Sequence, residues 1–172
     1  MAVPSAKMSV LVGKDFACVK IAGRANFTFS PDFKTLLGEL IQKGYAHFII
    51  DLSECVLMDS TFLGVLAGFG IKFNPSSPVT NGRIELSNPN ERVTELLENL
   101  GVLQLFKIVN GNLQLTGEVC VPPPVNPSRE EITRTSLEAH RTLMEANPDN
   151  VPRFKDVAQF LAEDLKKLEK CK

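Results

Sequence analysis

Two stretches of this sequence carry side chains suited to phosphoryl chemistry. In Cys18-Val19-Lys20-Ile21-Ala22-Gly23-Arg24 a cysteine and an arginine have the C-x5-R spacing of cysteine phosphatases. There a thiolate and a guanidinium meet one phosphate across a loop of backbone N–H groups, and the loop must lie between a strand and a helix N-terminus. Cys18 instead falls inside Phe16–Ala22, a β-type run whose successive side chains point to opposite faces. A packed strand cysteine is therefore expected. The second stretch, Asp59-Ser60-Thr61, stands directly before an apolar segment, and Asp59 or Ser60 is placed to cap a helix there. A hydroxyl at a helix N-terminus can accept a phosphoryl group without loss of the fold, because the dipole and the free N–H groups tolerate an anion.

Other chemistry is poorly represented. The sequence holds no G-x-x-x-x-G-K-[ST], no G-x-G-x-x-G, no H-E-x-x-H and no G-x-S-x-G. The two histidines, His47 at the start of a buried-type strand and His140 in a tail helix, have no nucleophile and carboxylate near them in sequence to suggest a triad. No catalytic residue is assigned, and no metal or cofactor is expected. Cys18, Cys55, Cys120 and Cys171 lack C-x-x-C or zinc spacing and read as reduced thiols. Asn26-Phe27-Thr28 fits a glycosylation sequon, but the N-terminus has no secretory character, so a cytoplasmic location is expected and the sequon reads as a loop. With 19 basic and 20 acidic residues and no basic cluster, nucleic acid is excluded as a partner. No apolar run approaches the roughly 20 residues that a membrane-spanning helix needs.

The elements that position Asp59-Ser60-Thr61 are legible in outline. Met8–Val12 and Phe16–Ala22 flank Gly13-Lys14-Asp15 and predict a hairpin. Ser30-Pro31-Asp32 opens an amphipathic helix carrying Phe33, Leu36, Leu37, Leu40 and Ile41, with Ser30 as cap, ending at Gly44. His47–Leu52 is a continuous apolar run of the kind found in a central strand. Ser60–Phe73 is apolar nearly all round and predicts a buried helix stopped by Asn74-Pro75-Ser76-Ser77-Pro78; its Gly64, Gly68 and Gly70 suggest close packing on the sheet. A strand at Arg83–Leu86 leads to a helix capped by Asn88 and reaching Leu100. Leu105–Val109 and Leu113–Thr116, around Asn110-Gly111, predict a closing hairpin.

The composition then shifts. Residues 117–128, with Pro122-Pro123-Pro124 and Pro127, read as a linker between a domain at 1–116 and a helical extension at 129–172. In that extension one helix starts at Ser128 and runs to about Ala146, and a second starts near Arg153. The second carries an apolar stripe of Phe154, Val157, Phe160, Leu161, Leu165 and Leu168, expected to pack on the domain or on a second copy in a homodimer.

The segment Asp51-Leu52-Ser53 through Asp59-Ser60-Thr61-Phe62-Leu63-Gly64 closely resembles the signature of the STAS family, the sulphate-transporter and anti-sigma-factor-antagonist domains. The resemblance covers about residues 7–109. It implies an α/β fold, a STAS-like mixed β-sheet with helices packed against it, here followed by the C-terminal helical extension. It also implies a stand-alone bacterial signalling module in transcription regulation that works by binding proteins and not as an enzyme. Ser60 matches the serine that a partner kinase, itself an anti-sigma factor, phosphorylates and a phosphatase restores. Asp59, Ser60 and Thr61, with Arg24 and Asn26 in the neighbouring loop, would form the partner-binding surface. Where the family usually has a small residue near position 62 and an acidic one in the loop 23–28, this chain has Phe62, Arg24 and Asn26. The alternatives are a non-phosphorylated accessory subunit of a transporter or other assembly and, from another class, a phosphatase or hydrolase.

Overall fold

Gly13 turns the chain between two strands, Lys7–Val12 (β1) and Ala17–Ala25 (β2), with its N–H donating to the Phe16 carbonyl, and the pair is antiparallel as the turn residues predict. The computed structural model describes residues 6–73, 82–123 and 126–171. The remaining elements are Ser30–Gln42 (α1), His47–Met58 (β3), Ser60–Lys72 (α2), Arg83–Ser87 (β4), Glu91–Asn99 (α3), Lys107–Val109 (β5), Glu118–Cys120 (β6), Arg129–Ala146 (α4) and Val151–Lys170 (α5). The predicted stop at Asn74–Pro78 lies outside the described residues.

The six strands form one mixed sheet in the order β5-β4-β3-β2-β1-β6. Pairs β2–β3, β3–β4 and β4–β5 are parallel, whereas β1 is antiparallel to both β2 and β6. Phe48, Ile50 and Leu52 of β3 point into the same apolar cluster as Phe33, Leu37, Phe62, Leu66, Val93, Leu97 and Leu143, so α1 to α4 all contribute to the core. Packing at native density makes such a core a rigid platform for whatever sits at its edge.

Several local expectations are corrected. Strand β3 does not stop at Leu52. It runs on to Met58 beside β2, and two register shifts, between Lys20 and Ala22 and between Gly23 and Arg24, absorb its extra residues as bulges. Helix α1 is not capped by Ser30: Phe29 holds the cap position, and the buried Ser30 hydroxyl donates to the Asn26 carbonyl. Helix α3 takes Asn90 as its cap, not Asn88, because Asn88 is already in the left-handed region at φ 53° and bonds to Gly111. No hairpin closes the sheet at Leu113–Thr116. Gly111 does turn the chain, at φ 121°, but the next strand is β6, hydrogen-bonded to β1 at the opposite edge. Residues 118–120, expected in the linker, therefore belong to the sheet. Gly117 is required there, since a Cβ would sit 2.2 Å from the Val12 carbonyl oxygen.

The extension is a helical pair joined by a 3-10 turn at Pro148–Asn150, with Ser128 capping α4 as its sequence predicts. Helix α4 packs on α2. Gly64 makes this possible: a Cβ on it would lie 2.5 Å from the Ala139 carbonyl oxygen, so its role is helix–helix approach and not packing on the sheet. The corner of the extension is fixed separately, by the buried Asn150 amide donating to the Leu100 and Leu143 carbonyls. The apolar stripe of α5 is only partly turned inward. Phe154 packs against the core, while Val157 and Phe160 are exposed, Phe160 by 71%.

Candidate functional site

The site is built where β2 and β3 end side by side and the chain turns into α1 and α2. Crevices at the carboxyl ends of parallel strands are where open α/β sheets ordinarily place their working residues. Asp59 organises this end. Its N–H donates to the Ala25 carbonyl at 3.0 Å, tying the end of β3 to the end of β2. One carboxylate oxygen accepts the Phe62 N–H at 2.8 Å and so caps α2; the other accepts the Phe27 N–H at 2.7 Å and pins the loop before α1. Burial raises the Asp59 carboxyl above its ordinary range, although the Phe62 and Phe27 N–H groups and the nearby His140 oppose the rise.

Of the residues named from sequence, Asp59, Ser60 and Thr61 are contiguous at the start of α2. Arg24 is exposed at the end of β2 and Asn26 is half-buried in the next turn, where its side-chain oxygen accepts from the Thr28 N–H and hydroxyl. Asp59 links the two stretches through Phe27, which is itself exposed. Phe62 is fully buried against Phe33, ring centroids 4.6 Å apart, so the bulk at that position is core and not surface.

Two partners of the site come from the extension. The Ser60 hydroxyl lies 3.0 Å from His140 Nε2, and the Thr61 hydroxyl donates to Ser136 at 3.5 Å. His140 Nδ1 is 2.7 Å from the Ser136 carbonyl. A carbonyl only accepts, so in the neutral ring Nδ1 carries the proton and Nε2 accepts from Ser60. Sequence reasoning missed both His140 and Phe27. The signal for His140 was a polar residue in the inward phase of an amphipathic helix, where Thr133, Ser136, His140 and Leu143 are all buried.

Cys18 and Arg24 do not meet as a phosphate site. Cys18 is buried in β2 beside Ile49, and burial, with the Asp51 charge second, pushes its thiol up to about 11. A thiol with that pKa is a poor nucleophile at neutral pH. The described residues contain no cluster of metal-ligating side chains, and no helix among them is long and apolar enough to cross a membrane.

The family model described as STAS domain matches residues 7–114, well over half of the chain. The chain belongs to the STAS family. Solved structures share this STAS fold. The anti-sigma factor antagonist SpoIIAA in its unphosphorylated form superposes with a TM-score of 0.53 at 15% identity, over 61% of this chain and 88% of that one. An anti-sigma factor antagonist from Mycobacterium paratuberculosis gives 0.52 at 18% identity, over 60% and 85%. SpoIIAA of Bacillus in the phosphorylated form gives 0.50 at 14% identity, over 61% and 91%. No protein of curated function matches this STAS chain by sequence. The matched region ends at residue 114, before β6, α4 and α5, so the helices that cover Ser60 lie outside the part that defines the family.

Proposed function

We propose that this chain is a regulatory protein-binding module of the anti-sigma-factor-antagonist kind, switched by phosphorylation of Ser60. The observation that carries the reading is the Asp59-capped start of α2 on a STAS sheet, with Ser60 as the first helical residue. A cytoplasmic partner kinase that doubles as an anti-sigma factor binds the unphosphorylated form and modifies Ser60; a phosphatase resets it. The partner surface comprises Asp59, Ser60, Arg24 and Asn26, joined by the exposed ring of Phe27, with Thr61 reached only if α4 moves. That SpoIIAA, of the same fold, exists in phosphorylated and unphosphorylated forms supports a fold that tolerates the group.

The mechanism is electrostatic and steric. A phosphoryl group adds about −1.5 to −2 charges beside the Asp59 carboxylate. A partner fitted to a neutral hydroxyl then meets repulsion and an uncompensated desolvation cost. The protein supplies no catalytic group for this, because the phosphoryl transfer belongs to its partners.

The test is affinity capture from native lysate with Ser60→Ala and Ser60→Asp, with intact-mass and phosphopeptide analysis of the native protein. Ser60→Ala should retain its partner and carry no phosphate, and Ser60→Asp should lose the partner by about tenfold or more. Equal capture by both, with no phosphate at Ser60, would instead favour a STAS subunit docked permanently in a transporter or other assembly.

A further inference from the structure

Ser60 is half-buried in this structure, and its hydroxyl is already taken by His140. His140 is only 4% exposed, and its ring is closed off on one side by Phe154, with centroids 5.0 Å apart. On the other side Nε2 takes up the Ser60 hydroxyl at 3.0 Å. Thr61 and Ser136 are both buried against each other, and one turn further along Gly64 lets the backbone of α4 come into direct contact with α2. Helix α4 therefore sits on the first two turns of α2 at a distance that leaves no layer of atoms between them.

We propose that α4 is an intramolecular gate on Ser60: docked, it occupies the Ser60 hydroxyl and buries Thr61, and a docked α4 and a phosphoryl group on Ser60 exclude one another. This rests on the reading of Ser60 as the modified residue. Where one hydrogen bond now spans Oγ and Nε2, a phosphoryl group would need room for a phosphorus atom and its oxygens. The contact of Gly64 with Ala139 leaves no slack for a small adjustment. The new charge would lie between the Asp59 carboxyl and the buried His140 and Thr61, where an anion without full pairing is unfavourable. A kinase can dock on the exposed Arg24 and Phe27 with α4 in place, but to modify Ser60 it has to free the hydroxyl that His140 holds. Unphosphorylated protein at rest is thus a closed form, and modification traps the open one.

The experiment follows hydrogen exchange of the α4 amides in the full chain, with phosphoserine incorporated at position 60 through an expanded genetic code. Wild type and Ser60→Ala should show slow exchange across α4. The phosphoserine protein should lose protection in α4 by about tenfold or more, the size expected when a buried hydrogen bond is replaced by a poorly paired charge. Gly64→Ala, which favours helix in α2 but drives a Cβ into Ala139, should open α4 to the same extent with no phosphate. The β3 amides report whether each variant is folded, and their protection should not change. Protection of α4 that is unchanged or increased by phosphoserine, with β3 intact, overturns the gate; an increase would mean that His140 clamps the phosphate. Failure of the gate and failure of the functional reading are read separately. A gate that opens in purified protein stands even if native Ser60 proves unmodified, and a phosphorylated native Ser60 with α4 still docked refutes the gate alone.

Discussion

Asp59 is a carboxyl whose charged form is disfavoured by burial, and that makes it testable by pH. Its folded pKa is raised, chiefly by burial. The folded state therefore holds the proton more tightly than the unfolded chain does, and stability falls as pH rises from the ordinary carboxylate value through the raised one. Asp59→Asn removes this titration. It also loses the second acceptor, the one that binds the Phe27 N–H, which is an offset that does not vary with pH. Melting curves of the two proteins from pH 3.5 to 7.5 should show the difference shifting in favour of Asp59→Asn as pH rises through the window between the ordinary and the raised carboxyl value, and levelling off above it. A constant difference would mean that the carboxylate is not held in a dry site. The cysteines offer a second check at this scale. Cys18 and Cys55 are buried with thiols pushed to about 11, whereas Cys120 and Cys171 are exposed. Native protein at pH 8 should react rapidly with a disulfide reagent at two thiols and at all four only after unfolding, and Cys18→Ser should leave partner binding unchanged.

Among the elements, α3 shows how a short polar side chain joins two parts of the fold. Asn90 caps the helix by accepting the Val93 N–H at 2.9 Å, and its amide donates to the Cys55 and Val56 carbonyls at the bulged end of β3. Asn90→Ala should lower the urea unfolding free energy by about 2 kcal/mol, since it removes a cap and leaves carbonyls short of a donor. Loss of under about 0.5 kcal/mol would place Asn90 with ordinary surface positions. The same segment shows what sequence does and does not carry. Asn-Pro-Asn contains two candidate caps, and only the long-range bond to β3 decides for Asn90. Apolar pattern is enough to read α1, α2, α4 and the chain order of β1 to β4, because that signal is local, whereas the cap of α1 falls on Phe29 and not on the expected Ser30. The closing hairpin was misread because Asn110-Gly111 specifies a turn but not where the chain goes next. Ser60 was legible as a capped hydroxyl, while its contact with His140 joins residues 80 positions apart and has no local signature.

The molecule is a sheet domain whose last two helices are anchored mainly at two places, with the Lys34–Glu138 ion pair to α1 beside the first. At one point α4 meets α2, burying Ala139 and Leu143 in the shared core and joining His140 to Ser60. At the other, Asn150 binds the Leu100 carbonyl at the end of α3. Each fully buried large apolar side chain contributes about 1.5–3 kcal/mol, so Leu143, with Ala139 beside it in the core, favours association even with the linker cut. A protease site placed after Asn126 should therefore give a nicked protein whose two fragments stay together. On size exclusion the 127–172 fragment should co-elute with the sheet domain, and it should separate only in denaturant. Asn150→Ala in the nicked protein should weaken the association, because the Leu100 and Leu143 carbonyls lose their donor in a dry site. Immediate separation of the fragments without denaturant would show that the linker, and not the α2–α4 contact, keeps the helices over Ser60.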